Sequence, residues 1–244
     1  MSIEDTITKK VKEILDTKFE IEDVTYVPDI ENSKLTFGNK GLRFESTVLH
    51  IDMRGSTKIL NKHNRATVAK IHMAYFHTIV KIAHSLGGSV RSFNGDSMLV
   101  FFQGTTKETL SNAVKAAMHM RYMLAESEIN NLLATYSEID FGIGLDDGKV
   151  LCTKIGVGGE SNNKGLFWAG NAVNKSVKVS DLAKNPNYIS ISKRVYDNLT
   201  DRVKYVNKTN AFGTKEKINM WKQGQFTYND KTETYYYTSY YWKL

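Results

Sequence analysis

The sequence predicts an α+β fold. Three observations predict it: a β-branched apolar segment closed by an acid and a glycine near residue 52, two long runs of apolar residues at helical spacing, and two hairpin dipeptides, Asn94-Gly95 and Asp147-Gly148. Ile3, Ile7, Val11, Ile14 and Leu15 recur at steps of three and four with charges between them, an amphipathic helix whose apolar face should dock on the main body or on a second chain. Residues 21–41 read as a connection, with turn signals at Asn32-Ser33 and Gly38-Asn39. Residues 47–53 have the character of a buried strand, which Gly55-Ser56-Thr57 ends while opening a helix. Val68, Ile71, Tyr75, Ile79, Ile82 and Leu86 mark a long helix stopped by Gly87-Gly88. Strands at 89–93 and 96–102 flank Asn94-Gly95.

A second long helix is expected over about 106–133, carrying Ala113, Ala116, Ala117, Met120 and Leu124. It precedes a strand pair, 139–145 and 149–155, turning at Asp147-Gly148. Gly156-Val157-Gly158-Gly159 lacks the Gly-Lys-Ser/Thr of a phosphate loop and reads as a strand connection. Phe167-Trp168-Ala169 leads into a helix over 172–183, then a short strand at 188–191 and a helix at 195–199, and the tail from 205 is β-rich. The organisation is therefore an N-terminal helix and connection (1–43), a main domain (44–200) and a β-rich extension packed on it (201–244).

With 244 residues, 41% of them hydrophobic and only two prolines, the chain excludes disorder and fibre. Its apolar runs are far shorter than the ~18 residues of a membrane span. The N-terminus lacks a basic stretch followed by an apolar one, and Cys152 is the sole cysteine, so a reducing cytoplasm is expected. The net charge of +7 raises the prospect of polyanionic partners, but the lysines and arginines are dispersed, and nucleic-acid binding is not expected. The six histidines form no zinc pattern. The tail's tyrosines and tryptophan read as packing residues outside any site, and Cys152 as a small buried hydrophobe.

Asp52 closes a strand and Asp96 sits at a hairpin, one strand–helix–strand excursion apart, which can bring both carboxylates together. Two such acids suit a hard cation that also holds phosphate, and the backbone amides from Arg54 through Gly55, Ser56 and Thr57 to Lys58 open a helix where a polyphosphate could sit. The alternative is that these acids merely cap a helix and shape a turn.

In order and spacing the sequence resembles the class III nucleotidyl cyclases. Ile51-Asp52-Met53-Arg54-Gly55-Ser56-Thr57 is similar to their first metal-binding segment and Phe93-Asn94-Gly95-Asp96 to the second. Gly142-Ile143-Gly144-Leu145 with Gly148-Lys149-Val150 resembles their paired-strand segment, and Gly170-Asn171-Ala172-Val173-Asn174 with Lys178 the helix of transition-state residues. The resemblance spans about residues 44–199. It implies a ferredoxin-like core in a head-to-tail homodimer with composite active sites. Asp52, Asp96 and the Met53 carbonyl would bind two divalent ions, Mn2+ or Mg2+, while Asn174 orients the ribose from the opposite subunit.

Three departures from the family pattern bear on substrate and mechanism. Lys178 stands where the family has a transition-state arginine, keeping the charge but not the planar fork. Ser92 and Asn171 occupy the base-selecting positions and match neither the adenine nor the guanine pair. Each can donate and accept, as a pyrimidine edge requires. With Leu35-Thr36-Phe37-Gly38 and the closing run at 235–242, this resembles the pyrimidine cyclases of bacterial Pycsar anti-phage systems, which make cyclic UMP or cyclic CMP to activate a separate effector protein. Uridylate cyclase is favoured over cytidylate cyclase; a catalytically degenerate nucleotide-binding module is the alternative.

Overall fold

The structure, a computed structural model, describes residues 1–32, 34–156, 163–209 and 213–244; Ser33 and Val157-Gly158-Gly159 lie outside the described residues. Helix α1 (Ile3–Asp16) opens with a capping box: the Ser2 hydroxyl accepts from the Asp5 amide while the Asp5 carboxylate accepts from the Ser2 amide. Its apolar stripe, Ile3, Ile7, Val11 and Ile14, stays exposed on the isolated chain. The Asn39 amide ties the helix end to the body, donating to the Ile14 and Thr17 carbonyls at 2.7 and 2.6 Å. The expected connection contains a strand, β1 (Glu20–Asp23), parallel to the start of β2 (Lys40–Arg54). Glu-Ile-Glu-Asp carries too little apolar alternation to announce it.

After β2 come α2 (Ser56–Lys62), α3 (Arg65–Ser85), β3 (Gly88–Asn94), β4 (Ser97–Gln103), α4 (Lys107–Ala125), α5 (Glu128–Ala134) and β5 (Asp140–Gly156). The strands lie in the order β5-β2-β4-β3 with antiparallel neighbours, the β-α-β-β-α-β arrangement of a ferredoxin-like core. Asn94 pairs with Ser97, so the two turn residues are Gly95 and Asp96, one position later than expected, with Gly95 taking the positive φ of 64°.

Two expectations need correcting. The 106–133 helix breaks into α4 and α5 because the Ser127 hydroxyl donates to the Met123 carbonyl and caps the new helix at the Ile129 amide. The strand pair at 139–155 is one continuous strand, β5, in unbroken register with β2 from Arg54↔Asp140 to Gly41↔Thr153. A turn at Asp147-Gly148 would forfeit that ladder. It would also expose Asp147, which is buried and ion-paired to Arg194 at 2.9 Å.

Beyond β5 run β6 (Lys164–Ala169), α6 (Asn171–Leu182), β7 (Ile189–Ser192), α7 (Lys193–Asp197), α8 (Asp201–Lys204), β8 (Tyr205–Thr209), β9 (Lys215–Asn219), β10 (Lys222–Tyr228) and β11 (Lys231–Thr238). The β10–β11 hairpin turns through Asn229 and Asp230, both at positive φ, and β11 joins the main sheet along β7.

Strand β2 distributes the two faces. Leu49, Ile51 and Met53 point into the larger core with Tyr75, Ile79, Val114 and Met118 of α3 and α4. Leu42, Phe44 and Val48 point the other way, to Phe101, Val150, Trp168 and Val173. His50, Asp52 and Arg54 continue that second row toward the end of α6.

Candidate active site

At the end of β2, Asp52 pairs with Ser97, and the Met53 amide donates to the Asp96 carbonyl at 3.3 Å. In a strand the N–H and C=O of one residue face the same neighbour, so the peptide edge of Met53 lies on the Asp96 side. The Asp96 charge bears on Asp52, and burial together with that charge pushes the Asp52 carboxyl up to about 6. The hydroxyl of Tyr75, wholly buried beneath them, finds no partner among the described residues, and burial and the two carboxylates keep it protonated.

Two neighbours in the β2 row fix the end of α6. The Ser180 hydroxyl donates to the Val177 carbonyl, so it accepts from His50 Nδ1 at 2.8 Å. Burial holds that imidazole neutral, its pKa depressed to about 4. The Arg54 guanidinium donates to the backbone carbonyls of Ser180 (2.8 Å), Asp181 (3.3 Å) and Phe141 (3.5 Å), so this side chain serves as a clasp between β5 and α6. Gly55 precedes α2, and its carbonyl accepts from the Lys58 and Ile59 amides. The amides of Ser56 and Thr57, in the first turn, lie beyond reach of any helical carbonyl.

On α6, Asn171, Asn174 and Lys178 are exposed at intervals of three and four, one open stripe, whereas Ser176 and Ser180 are buried against the sheet. Ser92, on β3 beside a bulge, donates its hydroxyl to Asn94 Oδ1 at 3.2 Å. A cleft of about 860 Å³ between α2, α5 and the segment after α6 is lined by Arg54, Gly55, Lys58 and Tyr188. It includes none of Asp52, Asp96, Ser92, Asn171, Asn174 or Lys178. Among the described residues the structure thus brings Asp52 and Asp96 to one end of the sheet and aligns the α6 stripe, and the 860 Å³ cleft takes in neither.

The sequence reading left the tail outside the site. Tyr228 packs on α6: its hydroxyl donates to Asn171 Oδ1 at 2.6 Å, and Lys175 lies 4.9 Å from the Tyr228 ring centroid while pairing with Glu233 at 2.6 Å. The hairpin therefore grips the first turns of the helix that carries the stripe. Asn229-Asp230 between β-prone residues was the available turn signal. The other tail aromatics pack: Tyr236 stacks on Tyr196, Tyr241 on Tyr122, and the Trp221 indole donates to the Val203 carbonyl. Cys152 is fully buried, its thiol pushed up to about 12.

The donor set suits a hard divalent cation. Among the described residues no group of three or more His, Cys, Asp or Glu side chains gathers, which leaves two carboxylates and backbone oxygen, with substrate oxygens to complete the shell. Burial and the Asp96 charge both disfavour the ionised Asp52 carboxylate, a penalty that a cation between the two acids would relieve.

A sequence model of the adenylate and guanylate cyclase catalytic domain matches residues 43–239. A uridylate cyclase of Burkholderia cepacia is 28% identical, the match covering 85% of this chain and 89% of that protein. A uridylate cyclase of Xanthomonas perforans is 27% identical over the whole of both chains. A cytidylate cyclase of Staphylococcus aureus is 27% identical, over 55% of this chain and 38% of its own length. Among solved structures, the adenylyl cyclase CyaB of P. aeruginosa superposes with a TM-score of 0.65 at 19% identity, covering 81% of this chain and 95% of that one. The guanylyl cyclase Cya2 superposes with a TM-score of 0.64 at 20% identity, covering 82% and 93%. The fold is that of the class III cyclase domains.

Proposed function

The chain belongs to the adenylate and guanylate cyclase catalytic-domain family, and from that premise we propose that it is a metal-dependent pyrimidine nucleotide cyclase converting UTP to 3′,5′-cyclic UMP and pyrophosphate. The observation that carries the proposal is the convergence of Asp52 and Asp96, far apart in sequence, on one end of the sheet. The uridylate cyclases among its relatives favour uracil as the base.

Asp52, Asp96 and the Met53 carbonyl would hold the divalent cations. Divalent cations there would neutralise the triphosphate and ease loss of the proton from the ribose 3′ hydroxyl. The chain's own residues position the rest. The Ser56 and Thr57 amides receive phosphate oxygens, and Ser92 and Asn171 read the base. Asn174 orients the ribose so that O3′ lines up with the α-phosphorus, and Lys178 faces the charge that builds as the bond to pyrophosphate breaks. The exposure of the α6 stripe, outside the 860 Å³ cleft, supports a head-to-tail homodimer in which one protomer lays α6 over the carboxylates of the other. The product then serves as a cytoplasmic second messenger for a separate effector in anti-phage defence, as the sequence resemblance implies.

Purified protein incubated with Mn2+ and each ribonucleoside triphosphate in turn should release pyrophosphate and cyclic UMP. Formation of cyclic AMP or cyclic GMP alone would refute the reading, and triphosphate binding without pyrophosphate release would favour the degenerate module.

A further inference from the structure

We infer that Arg54 is a positioning residue for the opposite active site of the dimer: although it follows Asp52 by two positions, it sets the height at which Lys178 and Asn174 meet the triphosphate held by the other protomer. The inference rests on the head-to-tail reading above. Three hydrogen bonds carry it. Arg54 Nη2 donates to the Ser180 carbonyl at 2.8 Å and the Asp181 carbonyl at 3.3 Å, both in the last turn of α6, and Nη1 donates to the Phe141 carbonyl of β5 at 3.5 Å. That last turn holds no basic residue of its own, so its carbonyls and the negative end of the helix dipole are met by a cation from β2. Gly142 leaves the room: a Cβ there would come within 2.5 Å of Nη2. His50, from the same strand, holds the Ser180 hydroxyl at 2.8 Å.

The clasp acts on the exposed stripe through its nearness. Lys178 lies two positions before Ser180 and three before Asp181, less than one helical turn away, and Asn174 lies about one turn before Lys178. Without the clasp that turn would fray, and a misplacement of about 1 Å in a group facing developing charge can cost about a hundredfold in rate. The alternative is that Arg54, beside Asp52, holds phosphate over the carboxylates of its own protomer. The geometry opposes it, since both Nη groups are already given to backbone carbonyls. The two roles belong to different active sites, because α6 of each protomer lies over the carboxylates of the other.

The test mixes full-length Arg54→Ala, Asp52→Ala and Lys178→Ala chains pairwise in equal amounts, lets subunits exchange, and reads pyrophosphate release from equimolar ribonucleoside triphosphates with Mn2+. Arg54→Ala alone should lose about a hundredfold in kcat. Mixed with Asp52→Ala it should regain about a quarter of wild-type turnover, because the heterodimer joins the intact carboxylates of the Arg54→Ala chain to the clasped α6 of the other. Mixed with Lys178→Ala it should regain nothing, since both lesions act on α6 and each site of that heterodimer holds one. A general loss of stability would depress both mixtures alike. Rescue by Lys178→Ala and not by Asp52→Ala overturns the inference and assigns Arg54 to the phosphates of its own protomer. Full activity of Arg54→Ala, or equal rescue by both partners, also overturns it. Where the alanine chain fails to fold, Arg54→Gln, which keeps a polar donor, takes its place, and rescue by neither partner then overturns the inference. Failure of Asp52→Ala and Lys178→Ala to rescue each other sinks the composite site itself, and absence of turnover in the wild-type chain sinks the cyclase reading.

Discussion

Gly144 lies so close under α6 that a Cβ on it would come within 2.0 Å of the Ser176 carbonyl oxygen. Two residues earlier, a Cβ on Gly142 would meet the Ser180 carbonyl oxygen and an Arg54 nitrogen, both at 2.5 Å. The bare ribbon of β5 lets the helix backbone settle on the sheet, and Arg54 then clasps its end. Gly144→Ala should therefore push α6 outward, costing about 1–3 kcal/mol in urea unfolding. Because Asn171, Asn174 and Lys178 ride on that helix, turnover of the folded fraction should fall as well.

Asp52→Asn and Asp96→Asn should each cut pyrophosphate release by about a thousandfold or more at saturating Mn2+, since each removes a charged ligand from a two-carboxylate site. Melting of the metal-free variants should not fall below that of the parent chain. The Asp52 carboxyl is destabilised by burial and by Asp96, so neutralising it relieves a penalty rather than breaking a support. Loss of activity with unchanged melting separates a chemical role from a structural one.

The core was legible where one periodicity dominated. The β2 strand and α3 follow from alternation and from steps of three and four, and Asp52 and Asp96 followed from their positions at a strand end and a hairpin. The β5 strand was misread because Asp147-Gly148 is a local turn signal, and its burial against Arg194 is a tertiary fact that no local pattern encodes. The α4–α5 break was missed for a similar reason, since Ser127 acts as a cap only when its hydroxyl finds the Ile129 amide. Tyr228 lies 57 positions from Asn171, and nothing in either neighbourhood announces the other.

A composite site, with α6 of one protomer over the carboxylates of the other, has a specific signature. Asp52→Ala and Lys178→Ala should each be nearly inactive alone. A heterodimer of the two holds one site with both lesions and one with neither, so an equal mixture that exchanges subunits freely should regain about a quarter of wild-type activity. A mixture that stays inactive after dissociation and reassembly, while the parent chain survives the same treatment, would place all the site residues within one protomer.

Asp146 is buried on β5, where the Ser192 hydroxyl, Lys175 and the Asp147 backbone all favour its ionised form. Burial outweighs these and raises its carboxyl to about 6 from the ordinary 3.8. Folding therefore favours the protonated acid: its contribution is intact below about pH 4 and is lost as the pH climbs through 6. Asp146→Asn, neutral at every pH and still able to accept from Ser192, should match the parent chain near pH 4. By pH 8 it should exceed the parent by about 2–3 kcal/mol in urea unfolding. An advantage of the same size at both pH values would mean that the side chain's packing, and not its ionisation, sets the difference. A loss of stability at pH 8 would mean instead that the attraction to Lys175 outweighs burial and holds the carboxylate ionised.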